Sequence, residues 1–347
     1  MKKLSEIDRN FVTDVIINEP DIVYYNVKEN DFCLFGLIYD QKFRRMDENA
    51  AKEINEGTYA LHANTSGGRL RFITDSPYVA ISVKMPVGQA SPHMPLTGKA
   101  GFDLYVDKRF RKMFVPPVEA KGGYEGICKF ADKKERLITI NFPLYNDVED
   151  VFIGLAGDAR FEKAPDFESD KKVLFYGSSI TQGACASRPG LAYTNMLGMR
   201  LGFDFVNLGF SGSAFGELKM AEYISKLNPD ILVMDYDNNA PTAEFLKDTH
   251  EKFYLHYRKF CPNTPIIMIT APSFYFSSAI DWPGRREVIK KTYDNAVTSG
   301  DKNVYYIDGE ELWGENWDLC SVDGLHPNDI GFAKMADRIE KTLKKLI

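Results

Sequence analysis

The chain has 347 residues, of which 44% are hydrophobic and 27% charged; this length supports a full apolar core in one large or two ordinary domains, and the composition excludes disordered, collagen-like and coiled-coil classes. Lysine plus arginine number 43 against 49 aspartate plus glutamate, a net charge of −6, which offers no electrostatic footprint for nucleic acid. No run reaches the roughly 18 apolar residues of a bilayer span, and the amino-terminal stretch with Asp8, Asp14 and Glu19 shows no secretion signal, so a soluble, cytoplasmic protein without a membrane partner is expected.

From about residue 21 to 164, short runs rich in β-branched and aromatic residues alternate with turn residues: 22–27, 33–38, 69–73, 79–84, 102–106, 137–142 and 151–155. Their spacing predicts an all-β sandwich. The one helical pattern here is 48–55, and 88–98 reads as a loop from its Gly, Pro and Ser content. After the polar stretch 163–172 the rhythm changes, with apolar runs at 173–176, 205–208, 231–235, 265–270 and 304–307 separated by helix-length segments at 191–201, 217–227, 243–260 and 285–299. A last helix is predicted over 328–345, where Ile330, Ala333, Ala336, Ile339 and Leu343 fall three or four apart and form an apolar stripe. Strand–helix alternation predicts a three-layer α/β domain on a parallel five-stranded sheet, with chemistry at the carboxyl ends of the strands. The chain is thus expected to divide into 1–165 and 166–347.

Four turns after these strands carry candidate chemistry. Gly177-Ser178-Ser179-Ile180-Thr181-Gln182-Gly183 follows the first strand; a serine at a sharp strand-to-helix turn exposes its oxygen near a helix amino terminus, although serines there also simply cap. It is no P-loop, since no lysine follows the glycines. Asn207-Leu208-Gly209-Phe210-Ser211-Gly212-Ser213 follows the second strand, where a glycine lets a backbone N–H approach a substrate oxygen or merely serves the loop. Asp235-Tyr236-Asp237-Asn238-Asn239-Ala240-Pro241 ends the third and offers an asparagine amide, or an ordinary turn. Asp323-Gly324-Leu325-His326-Pro327 precedes the last helix; its spacing lets the carboxylate orient one ring nitrogen while the other faces a substrate. His62, His93, His250 and His256 lack such a pattern and read as structural or exposed. The five cysteines, Cys33, Cys128, Cys185, Cys261 and Cys320, are scattered without a CxxC pair, against a disulfide framework or a structural zinc site. Cys185 reads as a bystander.

The ordered set of Ser, Gly, Asn and DxxH resembles the SGNH (GDSL-like) hydrolase superfamily over about residues 172–347. The resemblance implies a flavodoxin-like catalytic domain with Ser179 as nucleophile, His326 as general base and then acid, and Asp323 orienting His326. It also implies an oxyanion hole from the Ser179 N–H, the Gly212 N–H and the Asn239 side chain. Gly212 is preferred to Gly209 because the family glycine stands in an SG step, and Asn239 to Asn238 because the family asparagine stands four residues past the acidic strand end, here Asp235. Ser178 replaces the family aspartate of GDS, and the third block lacks the glycine of GxND. Gly101-Phe102-Asp103-Leu104-Tyr105 is similar to the GxDLY motif of a β-domain, jelly-roll-like, that accompanies a subgroup of these hydrolases; Asp103 receives no catalytic role.

The implied reaction is two-step acyl transfer with no metal or organic cofactor. Superfamily members with an accessory β-domain are often carbohydrate esterases, so the expected substrate is an acetylated or short-acylated sugar, as a small molecule or oligosaccharide. Phe274-Tyr275-Phe276, Trp282, Trp313 and Trp317 are candidates to stack on a sugar ring or to pack in the core, and Arg188 reads as a surface salt bridge or a residue reaching the pocket. Substrate-binding residues are not otherwise legible. A lipid or thioester hydrolase, a metal-dependent phosphodiesterase using Asp235, Asp237, Asp323 and His326, and a non-catalytic glycan-binding protein are the alternatives. The sandwich also offers a surface for self-association into a homo-oligomer.

Overall fold

The computed structural model describes every residue except 1–3, 9–11, 14, 31, 40–41, 87–90, 119–121 and 273–279. After a single turn, α1 (Leu4–Ile7), the first half is built from β1 (Ile22–Asn26), β2 (Cys33–Phe35), β3 (Ile38–Tyr39), β4 (Phe43–Arg44), β5 (Arg69–Thr74), β6 (Tyr78–Lys84), β7 (Phe102–Val106), β8 (Arg109–Phe114), β9 (Tyr124–Lys129), β10 (Arg136–Asn141), β11 (Asp150–Ala156) and β12 (Phe161–Lys163). One antiparallel sheet has the order β1-β11-β6-β9, and a second runs β12-β5-β10-β7-β8 with β2 beside β5. Leu70, Phe72, Ile81, Phe102, Leu104, Ile138, Ile140 and Ile153, all wholly buried, belong to one core shared by the two sheets. Burial alternates along β9 and β10, sending one face of each inward, while β5, β6 and β7 are buried along most of their length.

This half is β-rich rather than all-β. Three short helices, α2 (Glu48–Ile54), α3 (Glu56–Leu61) and α4 (Leu96–Ala100), interrupt it, the last beginning inside the stretch expected to be a loop. Asn55 starts α3 by accepting from Thr58 N at 2.7 Å, which is why a second helix follows where one was expected. Strands β8 and β9 were not expected. Arg109, Arg111 and Lys112 hide the pattern of β8, but Asp107 and Lys108 adopt positive φ of 49° and 65°, a tight turn that folds β8 back on β7.

The second half contains β13 (Lys172–Gly177), α5 (Ser179–Gln182), α6 (Tyr193–Leu201), β14 (Asp204–Gly209), α7 (Leu218–Lys226), β15 (Ile231–Asp235), α8 (Ala243–Phe260), β16 (Ile266–Ile269), α9 (Trp282–Thr298), β17 (Val304–Ile307), α10 (Glu310–Trp313) and α11 (Asp329–Leu343). The five strands are parallel in the order β14-β13-β15-β16-β17. Separate apolar clusters form on its two faces, so β15 and β16 are buried on both sides. Because the chain passes from β13 out to β14 and then back across to β15, the topological switch lies between the carboxyl ends of β13 and β15.

The apolar stripe of α11 is rotated from the expected one. Phe332, Met335, Ala336, Ile339 and Leu343 are buried, whereas Ile330 is 51% exposed. Phe332 and Met335 fill the space against Tyr193 and the sheet more fully than Ile330 and Ala333, and that volume sets the rotation.

The first half covers β14, an edge strand whose free carbonyls would otherwise face water. Arg45, 2% exposed, donates to the carbonyls of Asn207 (3.3 Å) and Gly209 (2.5 Å), and Arg69 pairs with Asp204 at 2.5 Å. Asp103 of the GxDLY stretch is wholly buried; it accepts from Asn141 Nδ2 (2.8 Å), Gly190 N (2.8 Å) and Arg188 Nη1 (3.0 Å). Arg188 also donates to Tyr105 and lies 3.9 Å from the Phe110 ring centre. It is therefore a bridge between the halves, neither a surface salt bridge nor a group reaching the pocket.

Candidate active site

The turn after β13 is built around hydrogen bonds that leave its serine poised. Ser178 is extended and its Oγ accepts from Ile180 N at 3.2 Å, capping the single turn α5. The Ser179 carbonyl accepts from Gly183 N (3.0 Å), Ala184 N (2.9 Å) and the Tyr145 hydroxyl (3.2 Å). Gln182 ties three segments together: its Oε1 accepts from Ser211 N at 3.1 Å, its Nε2 donates to Asn64 Oδ1 and Leu144 O at 3.2 Å, and its carbonyl accepts from Ser66 Oγ at 2.6 Å. Tyr145, Asn64 and Ser66 come from the β-rich half.

Beneath the turn, Asp235 Oδ2 accepts from Thr181 Oγ1 (2.9 Å) and the Tyr193 hydroxyl (2.8 Å). Burial pushes its carboxyl up to about 7 despite these two donors. Asp237, equally buried, is clamped by Arg285 Nε at 2.9 Å and Ala271 N at 2.8 Å. Both carboxylates are thus engaged in the fold. Among the described residues Asp235, Asp237, Asp323 and His326 do not gather into a metal-holding set, which removes the geometric basis for the phosphodiesterase alternative.

The loop from Ser321 to Asn328 holds itself. Ser321 Oγ donates to the His326 carbonyl (3.0 Å) and accepts from Gly324 N (2.8 Å), with Gly324 at φ 85° where a side chain would be strained. Asp323 Oδ1 accepts from Leu325 N (3.0 Å) and His326 N (2.7 Å), and its Oδ2 accepts from His326 Nδ1 at 2.7 Å. Partial burial alone would raise the Asp323 carboxyl, but these backbone and ring donors hold it below its ordinary value, so it stays ionised beside the imidazole. His326 Nε2 lies 3.0 Å from Ser179 Oγ. Serine, imidazole and carboxylate therefore form one continuous hydrogen-bonded chain. A hydroxyl so placed can pass its proton to Nε2 while the carboxylate stabilises the resulting imidazolium.

Around Ser179 the expected donors are arranged as follows. The Ser179 and Gly212 N–H groups meet no acceptor among the described residues. Gly212 has φ 65° and open space where a Cβ would point. Gly209 differs, since its N–H donates to Asn207 Oδ1 at 2.9 Å and a Cβ there would strike Gln182 N. Asn239 Nδ2 donates one hydrogen to the Phe210 carbonyl at 2.8 Å, in the same loop as Gly212, and its second hydrogen remains. The Asn238 side-chain amide is buried without a partner.

Trp282 and Trp313 are 4% and 1% exposed and belong to the interior, which removes them as sugar platforms; Trp317 is partly buried, packed against the core. Phe274-Tyr275-Phe276 lie outside the described residues. Reading the sequence missed Tyr145, Gln182, Tyr193 and Arg285, whose partners are 29 to 48 residues away or more. It also passed over His93, whose ring centre lies 5.7 Å from that of His326. Cys185 faces the same place, and burial, followed by the charge of Asp323, pushes its thiol up to about 12.

Family models match both halves. Residues 170–344 match the model of the GDSL-like lipase/acylhydrolase family. The chain belongs to that family. Residues 22–161 match a second model, GxDLY, described as the amino terminus of SGNH-hydrolase-type esterases. This GDSL-like acylhydrolase is accordingly an enzyme acting on carboxylic ester bonds. Solved structures similar to it include one described as a GDSL-like lipase from Bacteroides ovatus, 27% identical, covering 94% of this chain and 98% of that one with a TM-score of 0.85. Salicylyl-acyltransferase SsfX3 from a tetracycline biosynthetic pathway is 20% identical over 95% and 98% of the two chains (TM-score 0.78). An acetyl xylan esterase from the rumen bacterium Butyrivibrio proteoclasticus is 15% identical over 93% and 98% (TM-score 0.60). At these identities the last two share the fold. No curated protein matches the chain. No described helix of the GDSL-like enzyme is long and apolar enough to cross a membrane.

Proposed function

We propose that the protein is a serine esterase that removes acetyl or other short acyl groups from a carbohydrate, with residues 166–347 as its catalytic domain and 1–165 as an accessory β-domain. The observation that carries the mechanism is the hydrogen-bonded chain from Ser179 Oγ through His326 (3.0 Å) to Asp323 (2.7 Å). In this reading Ser179 attacks the ester carbonyl, His326 takes its proton and returns it to the leaving alcohol, and water then cleaves the acyl enzyme with His326 as base again. The oxyanion settles against the free N–H groups of Ser179 and Gly212 and the second hydrogen of Asn239. No step calls on a metal or a cofactor. The carbohydrate assignment is supported by fold relatives named as acetyl xylan and family two carbohydrate esterases that share both halves of the chain. Five free cysteines fit a reducing compartment, so we place the enzyme in the cytoplasm.

The deciding assay is hydrolysis of p-nitrophenyl acetate and of an acetylated xylo-oligosaccharide by wild type and Ser179→Ala, with and without chelator. Acetate release that chelator does not lower and that falls by roughly 10⁶-fold in Ser179→Ala is expected. Activity surviving the substitution overturns the mechanism; activity on the aryl ester with none on the sugar, at any acyl length, overturns the carbohydrate assignment.

A further inference from the structure

Beside the acyl-transfer machinery, and sharing His326 with it, one side-chain cluster has donor chemistry of its own. His93, Cys185 and His326 each bring one ligand atom to within 4.8 Å of the others. Two imidazole nitrogens and a thiol sulfur make a borderline-soft set that suits zinc and its congeners better than magnesium or calcium. Tetrahedral zinc with bonds of about 2.0–2.3 Å keeps its ligands roughly 3.4–3.8 Å apart, so closing the set takes about 1 Å of movement. His93, on an exposed turn, supplies it.

The cluster is held by the same structural joint. The turn with His93 leads into α4, where Thr97 Oγ1 donates to the Ser187 carbonyl at 2.5 Å and Gly98 packs so closely on the Ala186 carbonyl that a Cβ would collide with it. These contacts fasten the β-rich half to the residues just after Cys185. Ser187 in turn donates from N and Oγ to Asp329 (2.9 and 2.6 Å), three residues beyond His326. Cys185 itself has φ 70°, a left-handed conformation that is unfavourable for a non-glycine residue and is kept by its surroundings.

We propose that His93, Cys185 and His326 form a binding site for a zinc-class divalent cation, and that its occupation shuts the enzyme. Binding forms one metal–sulfur and two metal–nitrogen bonds, releases the Cys185 thiol proton to solvent, and leaves a fourth position for water. Whichever His326 nitrogen takes the metal gives up its present partner, Ser179 at Nε2 or Asp323 at Nδ1. Inhibition, though not binding, rests on the esterase reading given above.

The test uses the full chain as wild type, Ser179→Ala, Cys185→Ser and His93→Ala. Cobalt(II) titration should give thiolate-to-cobalt absorption and tetrahedral d–d bands in wild type and in Ser179→Ala. Cys185→Ser should lose the thiolate band, and His93→Ala should bind cobalt at least about tenfold more weakly. On p-nitrophenyl acetate, zinc should inhibit wild type reversibly with chelator, while Cys185→Ser and His93→Ala keep the basal rate and need at least about tenfold more zinc. The proposal is overturned by a wild-type spectrum without a thiolate band, or by equal zinc inhibition of all active forms. If wild type proves inactive on every ester, the esterase reading fails while the cobalt spectra still decide the metal site.

Discussion

The turn carrying Ser179 and the loop carrying His326 meet across one 3.0 Å hydrogen bond but are held in opposite ways. Ser179 is 6% exposed, and its turn depends on Tyr145, Ser66, Asn64, Asn207 and Asp235, all 26 or more residues distant. The His326 loop is partly exposed and fastened by Ser321, Asp323 and its own amides, three to five residues away. In the proposed mechanism the nucleophile must be aimed at a fixed oxyanion site, which distant packing provides. The proposed general base needs orientation about one ring, which a short loop supplies.

Among changes to the surroundings of Ser179 and His326, the largest predicted effect strikes the self-contained loop. Asp323→Asn should keep the fold yet cut kcat by about 10⁴-fold, because an amide no longer holds the imidazole in the productive tautomer; single-turnover kinetics with intact thermal stability would check it, and a loss below tenfold would mean that Asp323 only shapes the loop. Next comes the distant side, where Asn239→Ala should lower kcat by about 100- to 1,000-fold, or roughly 2.7–4 kcal/mol, with little change in KM. The same loss in Asn238→Ala with Asn239→Ala unaffected would move the donor to the neighbouring residue. On the joint between the halves, Arg188→Met strands the buried Asp103 carboxylate and should cost about 3 kcal/mol in urea unfolding; an unchanged midpoint would show that the joint does not stabilise the fold.

The smallest effect is a pH dependence beneath Ser179. In the folded chain Asp235 keeps its proton up to about pH 7, whereas an ordinary aspartate loses it near 3.8. Between those values the folded state binds more protons than the unfolded one, so this group's contribution to stability falls as pH rises through the window. Asp235→Asn removes that decline, and its Tm relative to wild type should climb from pH 4 to pH 7 and then level. A constant difference across the window would mean that Asp235 is ionised throughout. His250 acts in the opposite direction: burial lowers it to about 3, so its contribution is present at neutral pH and lost progressively as pH falls below the ordinary imidazole range.

The same contrast explains what could be read in advance. The five parallel strands were legible as short apolar runs; 231–235 coincides with β15, buried on both faces, and 304–307 with the edge strand β17. The Asp323-to-His326 spacing was legible because its hydrogen bonds are local. Strands β8 and β9 were not, since their residues alternate with Arg, Lys, Glu and Gly, and they pair only because β7 and β6 present edges to them. Helix α11 was found, but its rotation was not, because Ile330 and Phe332 are both apolar and only the shape of the cavity over the sheet chooses between them.

Sequence alone therefore determined the order of most elements and the α/β class of the second half, since periodicity and short-range spacing are properties of the chain itself, and its motifs nominated the residues proposed for acyl transfer. Tertiary structure engaged the buried acids Asp235 and Asp237 in the fold and set His326, held by Asp323, against the serine. It turned Arg188 and Asp103 into a joint between the halves, and it brought His93 to His326 across 233 residues. Those outcomes depend on packing volumes and on which donors reach which carbonyls, and no local pattern encodes them.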